Sequence, residues 1–325
     1  MDFPTADSRP RVSVITPAYN AARFLRETIE SVRRQTFEDW ELVIVDDGST
    51  DETVAIIERC AAMDRRIRLL QQPNAGPSAA RNHGMRAALG IFFAFLDSDD
   101  QWLPEFLEHQ LRVFAMHPET ALVTTTAYDL GGPRDGQSRR RPCPDYPLLT
   151  LEEIIQNDSA VFIMTVFRRE VFERIGGLDE AQWTSEDYDF WIRAALAGFT
   201  FRVSTQPLAL YRRHEGSLSS DSARMLQGIL HTYSKTRRAC PSGSPARVAI
   251  DSQIAHFERE LLLVEAKQAL ERGDYERAAD RLNALRGLGA GALVGLTAWL
   301  SEHAPAAASL AYRFRRFRKL PRRNA

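Results

Sequence analysis

The apolar positions of the first 130 residues follow two alternating periods. Short runs rich in β-branched residues at 12–16, 41–45, 67–71, 91–96 and 121–126 predict strands. Between them, 22–35, 51–63, 78–89 and 104–116 repeat apolar residues at three- and four-residue spacing and predict helices. Apolar strands separated by helices indicate an α/β fold, an open, mostly parallel sheet with helices on both faces. Ser49-Thr50-Asp51-Glu52 and Pro104 mark helix starts. The pattern resumes with helices at 150–156 and 186–196 and strands at 160–167, 199–203 and 208–212. A Gly-, Pro- and Arg-rich segment at 128–148 interrupts it, and so long a connection is functional or mobile.

Beyond 220 the pattern is helical, with segments at 221–238 and 247–272 joined through Cys240-Pro-Ser-Gly-Ser-Pro245. Residues around the Gly273-Asp274 turn resemble one tetratricopeptide-type hairpin. A solenoid needs at least three such repeats, so an ordinary antiparallel helix pair is the expected arrangement. The expected organisation is an N-terminal arm (1–10), an α/β domain (11–220) and a helical extension with a basic tail (221–325).

Composition narrows the class. Of 325 residues, 44% are hydrophobic and 26% charged, a globular balance. A net charge of -1 argues against a nucleic-acid partner, although residues 301–325 carry a local +6. Three cysteines without CxxC spacing suggest neither a disulfide framework nor a zinc cluster, and a cytoplasmic location is expected. The first residues lack a signal-peptide core, and the apolar stretch at 287–300 falls short of the ~20 residues of a spanning helix. The tail SLAYRFRRFRKLPRR interleaves aromatic and basic residues and suits the inner, anionic face of a membrane. A nucleic-acid contact or a plain disordered end are the competing readings of that tail.

Open α/β sheets bind ligands beyond the carboxyl ends of their strands. Three such loops carry polar residues: Thr16-Pro17-Ala18-Tyr19-Asn20, Asp46-Asp47-Gly48-Ser49 and Asp97-Ser98-Asp99-Asp100. Three carboxylates in four residues repel one another unless a cation lies among them, and hard oxygen ligands suit Mg²⁺ or Mn²⁺. The competing reading is an N-cap cluster for the helix at Pro104. A strand-end aspartate such as Asp46 or Asp47 can accept from ribose hydroxyls or a base N–H, or simply cap the next helix. Neither GxGxxG nor GxxxxGKS follows the first strand, which disfavours a dehydrogenase or P-loop enzyme.

Four segments carry a resemblance: VSVITPAYNAARFLRETIESVRRQTFEDWELVIVDDGSTDET, NAGPSAARNHGMRAALGIFFAFLDSDDQWLPEFL, TSEDYDFWIRAALAGF and YRRHEGSLS. Over residues 10–220 the chain resembles family 2 glycosyltransferases of the GT-A fold, which transfer a sugar from a nucleotide-diphosphate donor to an acceptor hydroxyl with inversion. The resemblance implies that Pro17, Tyr19 and Asn20 line the base and ribose, and that Asp47, with Asp46, contacts the uracil or ribose. It places Arg81 near the donor, Asp97 at the ribose or donor sugar and Asp99 on the metal, with Asp97 and His214 as further metal-ligand candidates. Asp187 matches the catalytic base, with Glu186 beside it. Arg212 and Arg213 could meet phosphate oxygens, while Trp183 is assigned to core packing ahead of stacking on an acceptor sugar. The implied partners are a UDP-sugar and a cell-surface glycan or lipid-linked acceptor. A metal-dependent nucleotidyltransferase and a catalytically inert scaffold are the alternatives.

Overall fold

The computed structural model describes residues 9–139, 146–214, 221–288 and 292–304. The N-terminal arm up to residue 8, Cys143 and the basic tail beyond 304 lie outside the described residues. The chain divides into two compact units, Met1–Ser220 with Ser244–Ala246, and Asp221–Gly243 with Arg247–Ala325.

The first unit opens with the expected alternation: β1 (Val12–Ala18), α1 (Leu25–Arg33), β2 (Trp40–Asp46), α2 (Thr53–Met63), β3 (Ile67–Gln71), α3 (Pro77–Ala87), β4 (Phe92–Phe95), β5 (Gln101–Trp102) and α4 (Phe106–Met116). It continues through β6 (Leu122–Leu130), β7 (Leu148–Leu149), α5 (Leu151–Gln156), β8 (Val166–Arg168), α6 (Arg169–Ile175), α7 (Glu186–Leu196) and β9 (Phe201–Arg212). The strands form one sheet in the order β3-β2-β1-β4-β8-β6-β9-β5, with β7 also on β9. All seven residues of β2 are buried, which requires cover on both faces of the strand and explains the apolar run from Leu42 to Val45.

The sheet is an open α/β sheet, and its second half is mixed. β1, β2, β3 and β4 are mutually parallel, whereas β8 pairs antiparallel with both β4 and β6. Two reversals restore the direction, so β6 and its parallel neighbour β9 run with β1 and β4. The carboxyl ends of β1, β2, β4, β6 and β9 therefore share one edge.

Three local readings change. Of 160–167, only Val166–Arg168 pairs as a strand. Thr165 Oγ1 donates to the Phe162 carbonyl at 2.5 Å and the Phe162 N–H donates to Thr124 Oγ1 at 2.8 Å, which turns the segment before it reaches the sheet. The two strands predicted at 199–203 and 208–212 are one, β9, carrying Pro207 at an irregularity opposite Thr126. Proline has no N–H to give a ladder, and an irregular position tolerates that loss. The segment at 128–148 begins as strand, because β6 runs on to Leu130, and its turn folds back through a bridge between Tyr128 and Ser138.

Helix α3 lies close on the sheet. Ala80 packs with Val43, Val45 and Leu70, and a Cβ at Gly84 would stand 2.7 Å from Ile15 Cγ2 and 3.3 Å from Val45 Cγ2. The missing side chain lets the helix backbone approach β1 and β2.

The second unit contains α8 (Ser222–Ala239), α9 (Pro245–Arg272), α10 (Tyr275–Gly287) and α11 (Ala292–His303). Ala266, Leu282, Leu285 and Ala298 form one apolar cluster and Ala269, Leu270 and Ala278 another. Small residues at these contacts permit close helix approach. Among the described residues no helix is long and apolar enough to cross a membrane.

Gly84→Val is expected to lower stability by about 1–3 kcal/mol through overpacking against Ile15. Urea denaturation would read this as a lower midpoint at unchanged slope. An unchanged midpoint would contradict the close approach.

Candidate active site

One face of α3 organises the site. Ser78, Arg81, Asn82 and Met85 recur at helical spacing and all are buried. Ser78 Oγ donates to the Gln182 carbonyl at 2.9 Å. Asn82 donates to the Leu178 carbonyl at 2.9 Å and accepts from the Leu178 N–H at 2.8 Å. Gln182 in turn donates to the carbonyls of Thr184 and Ser185, each at 2.9 Å. The segment leading into α7 is thereby fixed to α3, across about a hundred residues of sequence.

Arg81 supplies the charge at this junction. Its Nη2 donates to Asp97 Oδ1 and its Nη1 to Glu186 Oε1, each at 2.5 Å, and the side chain is 4% exposed. Burial works against a guanidinium, but Asp97 and Glu186 outweigh it and raise the Arg81 pKa. The rigid fork reaches two carboxylates on different elements, which a lysine cannot reproduce.

Asp187, half-buried in the first turn of α7, lies next to this bridge. Burial and then the charge of Glu186 push its carboxyl up to about 7. The Tyr188 N–H donates to its Oδ1 at 2.8 Å and opposes the rise. The aromatic residues flanking Asp187 in the sequence, Trp183, Tyr188 and Trp191, take up separate positions. Tyr188 sends its hydroxyl to the Ile154 carbonyl at 2.9 Å, and Trp191 packs into the core against Phe95 and Phe167. Trp183 is 49% exposed and lies over Gly76, so its expected core role is corrected. Gly76 caps α3 at φ +90, a backbone shape that places the indole on bare backbone.

The acidic loop resolves into three environments. Asp97 belongs to Arg81. Asp100 is buried, accepts the Arg212 N–H at 2.7 Å through Oδ1, and has no partner on Oδ2. Burial, with the charges of Asp99 and Asp97, pushes the Asp100 carboxyl well up. Asp99 Oδ2 meets His214 Nε2 at 2.8 Å. Burial and then Asp97 raise the Asp99 carboxyl, against the imidazole, which lowers it.

Sheet pairing explains the Asp99–His214 contact across 115 residues. The acidic loop runs directly into β5, which pairs antiparallel with β9, and His214 follows β9 by two residues. Arg212 locks the junction. It donates to the Asp99 carbonyl at 2.8 Å and to Glu27 at 2.6 Å, and its guanidinium stacks 4.3 Å from the Phe24 ring. These contacts hold Arg212 at the loop, while Arg213 turns to Asp129, 3.8 Å away.

The first two rim loops are tied to each other. The Asn20 N–H donates to Ser49 Oγ at 2.9 Å, and Asn20 Oδ1 accepts the Thr50 N–H at 2.8 Å. Pro17 stands in register with Val45 inside β1, and Tyr19 is 52% exposed on the rim. Asp46 is buried and accepts the Ser49 N–H at 3.3 Å. Asp47 is engaged more fully: it accepts from Gln72 Nε2 at 2.8 Å, the Ala75 N–H at 2.9 Å and the Gly76 N–H at 2.8 Å. Its carboxylate thus builds the loop that starts α3.

Among the described residues no three His, Cys, Asp or Glu side chains are arranged to cage a metal. Asp99 and His214 provide two adjacent donors, oxygen and imidazole nitrogen, that fit Mg²⁺ or Mn²⁺ completed by phosphate oxygens and water. Asp97 is ion-paired to Arg81, and His214 approaches Asp99, not Asp97.

Several organising residues escaped the sequence reading: Ser78, Asn82, Gln182, and Asp129. The polar residues of NAGPSAARNHG at i, i+3 and i+4 on an otherwise buried helix were the available signal. Asp129 carried none, because its partners come from a turn and from a different strand.

This geometry is a carboxylate-rich rim on a GT-A-type sheet, with a buried arginine joining the acidic loop to the start of α7. The chain matches Glycosyl transferase family 2 over residues 13–176 and Glycosyl transferase family group 2 over 159–240. It is 33% identical over 231 residues to the Bacillus subtilis (strain 168) protein named for teichuronic acid biosynthesis, glycosyltransferase TuaG, covering 71% of this chain and 90% of that protein. It is 34% identical over 217 residues to the O-antigen biosynthesis protein RfbC of Myxococcus xanthus, covering 66% of this chain but 16% of that protein. Staphylococcus aureus TarS 1–349, solved with UDP-GlcNAc, superposes with TM-score 0.61 at 20% identity, over 93% of this chain and 89% of that one. The mannosyltransferase PcManGT of Pyrobaculum calidifontis, solved with GDP-Man and Mn²⁺, gives TM-score 0.61 at 20% identity, over 95% and 88%. The chain belongs to the family 2 glycosyltransferases and is a glycosyltransferase enzyme.

Arg81→Met leaves Asp97 and Glu186 without their common cation in a buried site, and a loss of about 3–5 kcal/mol is expected. Arg81→Lys keeps the charge and should lose less. Equilibrium unfolding of both variants checks the order, and equal stability of all three proteins would contradict it.

Proposed function

We propose that this enzyme is an inverting, metal-dependent transferase that moves a sugar from a nucleoside-diphosphate donor, a UDP-sugar foremost, to an acceptor hydroxyl on a cell-surface glycan or lipid-linked oligosaccharide. The observation that carries the reading is the Arg81 bridge, because it fixes Asp97 and Glu186 on one rim with Asp187 beside them. The names of TuaG and RfbC support a cell-surface glycan product, and the UDP-GlcNAc held by TarS supports a nucleotide-sugar donor.

In the proposed reaction Pro17, Tyr19, Asn20 and Asp46 line the nucleoside, with Asp47 shaping that pocket through the loop it holds. Arg81 and Asp97 orient the donor sugar. Asp187 accepts the proton of the acceptor hydroxyl as its oxygen attacks the anomeric carbon. The bond from that carbon to the diphosphate oxygen breaks, and its electron pair leaves with the diphosphate. Glu186 is bound to Arg81 as Asp97 is, and carboxylates so paired are poor nucleophiles, which supports a single displacement and hence inversion. Asp99 and His214 are the residues that would hold Mg²⁺ or Mn²⁺, which when bound neutralises charge on the departing diphosphate.

Sugar transfer releases a nucleoside diphosphate. Assay of that product with a panel of nucleotide sugars identifies the donor, and release from no UDP-sugar would overturn the UDP preference.

A base must be deprotonated to act, so kcat/KM should fall tenfold per pH unit below about 7, where Asp187 takes up its proton, and level off above it. Asp187→Asn should lose about 10²–10⁴-fold in kcat while remaining folded. A full-rate Asp187→Asn enzyme would assign the base elsewhere.

Chelation with EDTA is expected to abolish transfer, with recovery on adding Mn²⁺ or Mg²⁺. Asp99→Ala should resist that recovery. Undiminished activity in EDTA would remove the metal from the reading.

A further inference from the structure

We propose that Arg134, Arg139 and Arg213, gathered around Asp129 at the carboxyl rim, form a subsite for an anionic group, phosphate or carboxylate, carried by the acceptor. The proposal rests on the transferase reading above and adds the chemical class of the acceptor.

The cluster begins with one buried carboxylate. Asp129, 3% exposed near the end of β6, accepts from Arg139 Nη1 at 2.9 Å and is ion-paired with Arg134 Nε at 3.3 Å, and Arg213 Nε stands 3.8 Å away. One guanidinium suffices to neutralise one carboxylate. Against Asp129 and Asp135, the second carboxylate of this turn, three leave a surplus of one positive charge among the described residues, and arginine cannot shed its proton to relieve the repulsion. Asp135, on the same turn, points its Oδ1 at the Gly131 N–H at 2.6 Å. A bound anion would relieve the excess.

The arginines are held in place before any ligand arrives. Arg139 lies 4.7 Å from the Tyr211 ring and 5.4 Å from Phe162, and Arg213 lies 4.8 Å from the same tyrosine. Such stacking limits the side-chain entropy lost on binding. The turn presses on Arg213 as well. Gly131 and Gly132 have φ +82 and +73, and a Cβ on either would come within 3.3 Å of Arg213. The heads nonetheless reach solvent, with Arg134 57% and Arg213 40% exposed.

Position separates this subsite from the nucleoside. In the sheet, β6 and β9 lie beyond β8, on the side of β4 away from β1 and β2. The loops holding Asn20, Asp46 and Asp47 follow β1 and β2, whereas the cluster belongs to β6 and β9, which lie between β4 and β5, the two strands that the acidic loop joins. Arg213 immediately precedes His214, which meets Asp99. An acceptor reaching the acidic loop from that side would bring a neighbouring phosphate or carboxylate to the arginines.

The test compares octyl glucoside, octyl glucuronide and octyl glucoside 6-phosphate as ligands of the full chain in the presence of UDP, by titration calorimetry. The wild-type protein should bind an anionic glycoside about tenfold or more tighter than the neutral one, as charge-assisted hydrogen bonds allow, and salt should erode the difference. Arg134→Gln combined with Arg213→Gln should erase the preference, with octyl glucoside bound alike by both proteins and the melting temperature unchanged. Which anionic glycoside binds tighter decides between phosphate and carboxylate. No charge preference in the wild-type protein overturns the proposal, as does a double variant that retains it. Loss of UDP binding in the variant would assign the cluster to the donor and equally overturn it. Charge-selective binding without sugar transfer would keep the subsite and sink the transferase reading, so the two failures are told apart.

Discussion

A buried guanidinium shared by two carboxylates holds the active rim together. Without Arg81, Asp97 and Glu186 would face each other across a poorly solvated gap, and the acidic loop and the start of α7 would have no common anchor. Taking a charge out of water costs several kcal/mol, and only a geometry that satisfies both carboxylates offsets that cost. The same bridge governs the electrostatics next door. Burial and then Glu186 push the Asp187 carboxyl up while Arg81 holds it down, so its value near neutrality is a balance of burial and opposing neighbours.

Strand direction is the second constraint. The rim exists because β1, β2 and β4 end on one edge, and the two antiparallel pairings of β8 return β6 and β9 to that direction. The reversal brings His214 to Asp99 and places the arginines around Asp129 on the same edge. The acidic loop, in turn, is settled by distributing its charges: one carboxylate to an arginine, one to a backbone N–H, and one to an imidazole. Each of the three carboxylates thus meets a different partner.

Much of the fold was legible in the chain. Strands such as 67–71 and helices such as 186–196 appear with their read boundaries, because apolar periodicity and burial coincide there. The readings that changed lie where tertiary contacts override the pattern: the turn at Thr165, the irregularity at Pro207, and the extension of β6 to Leu130. At the rim, the candidate residues were visible as types at strand ends. Their division of labour was not, since the three donors on Asp47 come from a loop that the hydrophobic pattern leaves featureless.

The sequence by itself determined the α/β class, the three acidic and polar rim loops, and membership in a transferase family, because these rest on local periodicity and on motifs contiguous along the chain. Tertiary structure alone decided which carboxylate meets which cation. Arg81 and Glu186 are 105 positions apart, and His214 and Asp99 are 115 apart. Coulomb interactions depend on distance and on burial, and neither quantity exists until the sheet has placed these side chains on one edge.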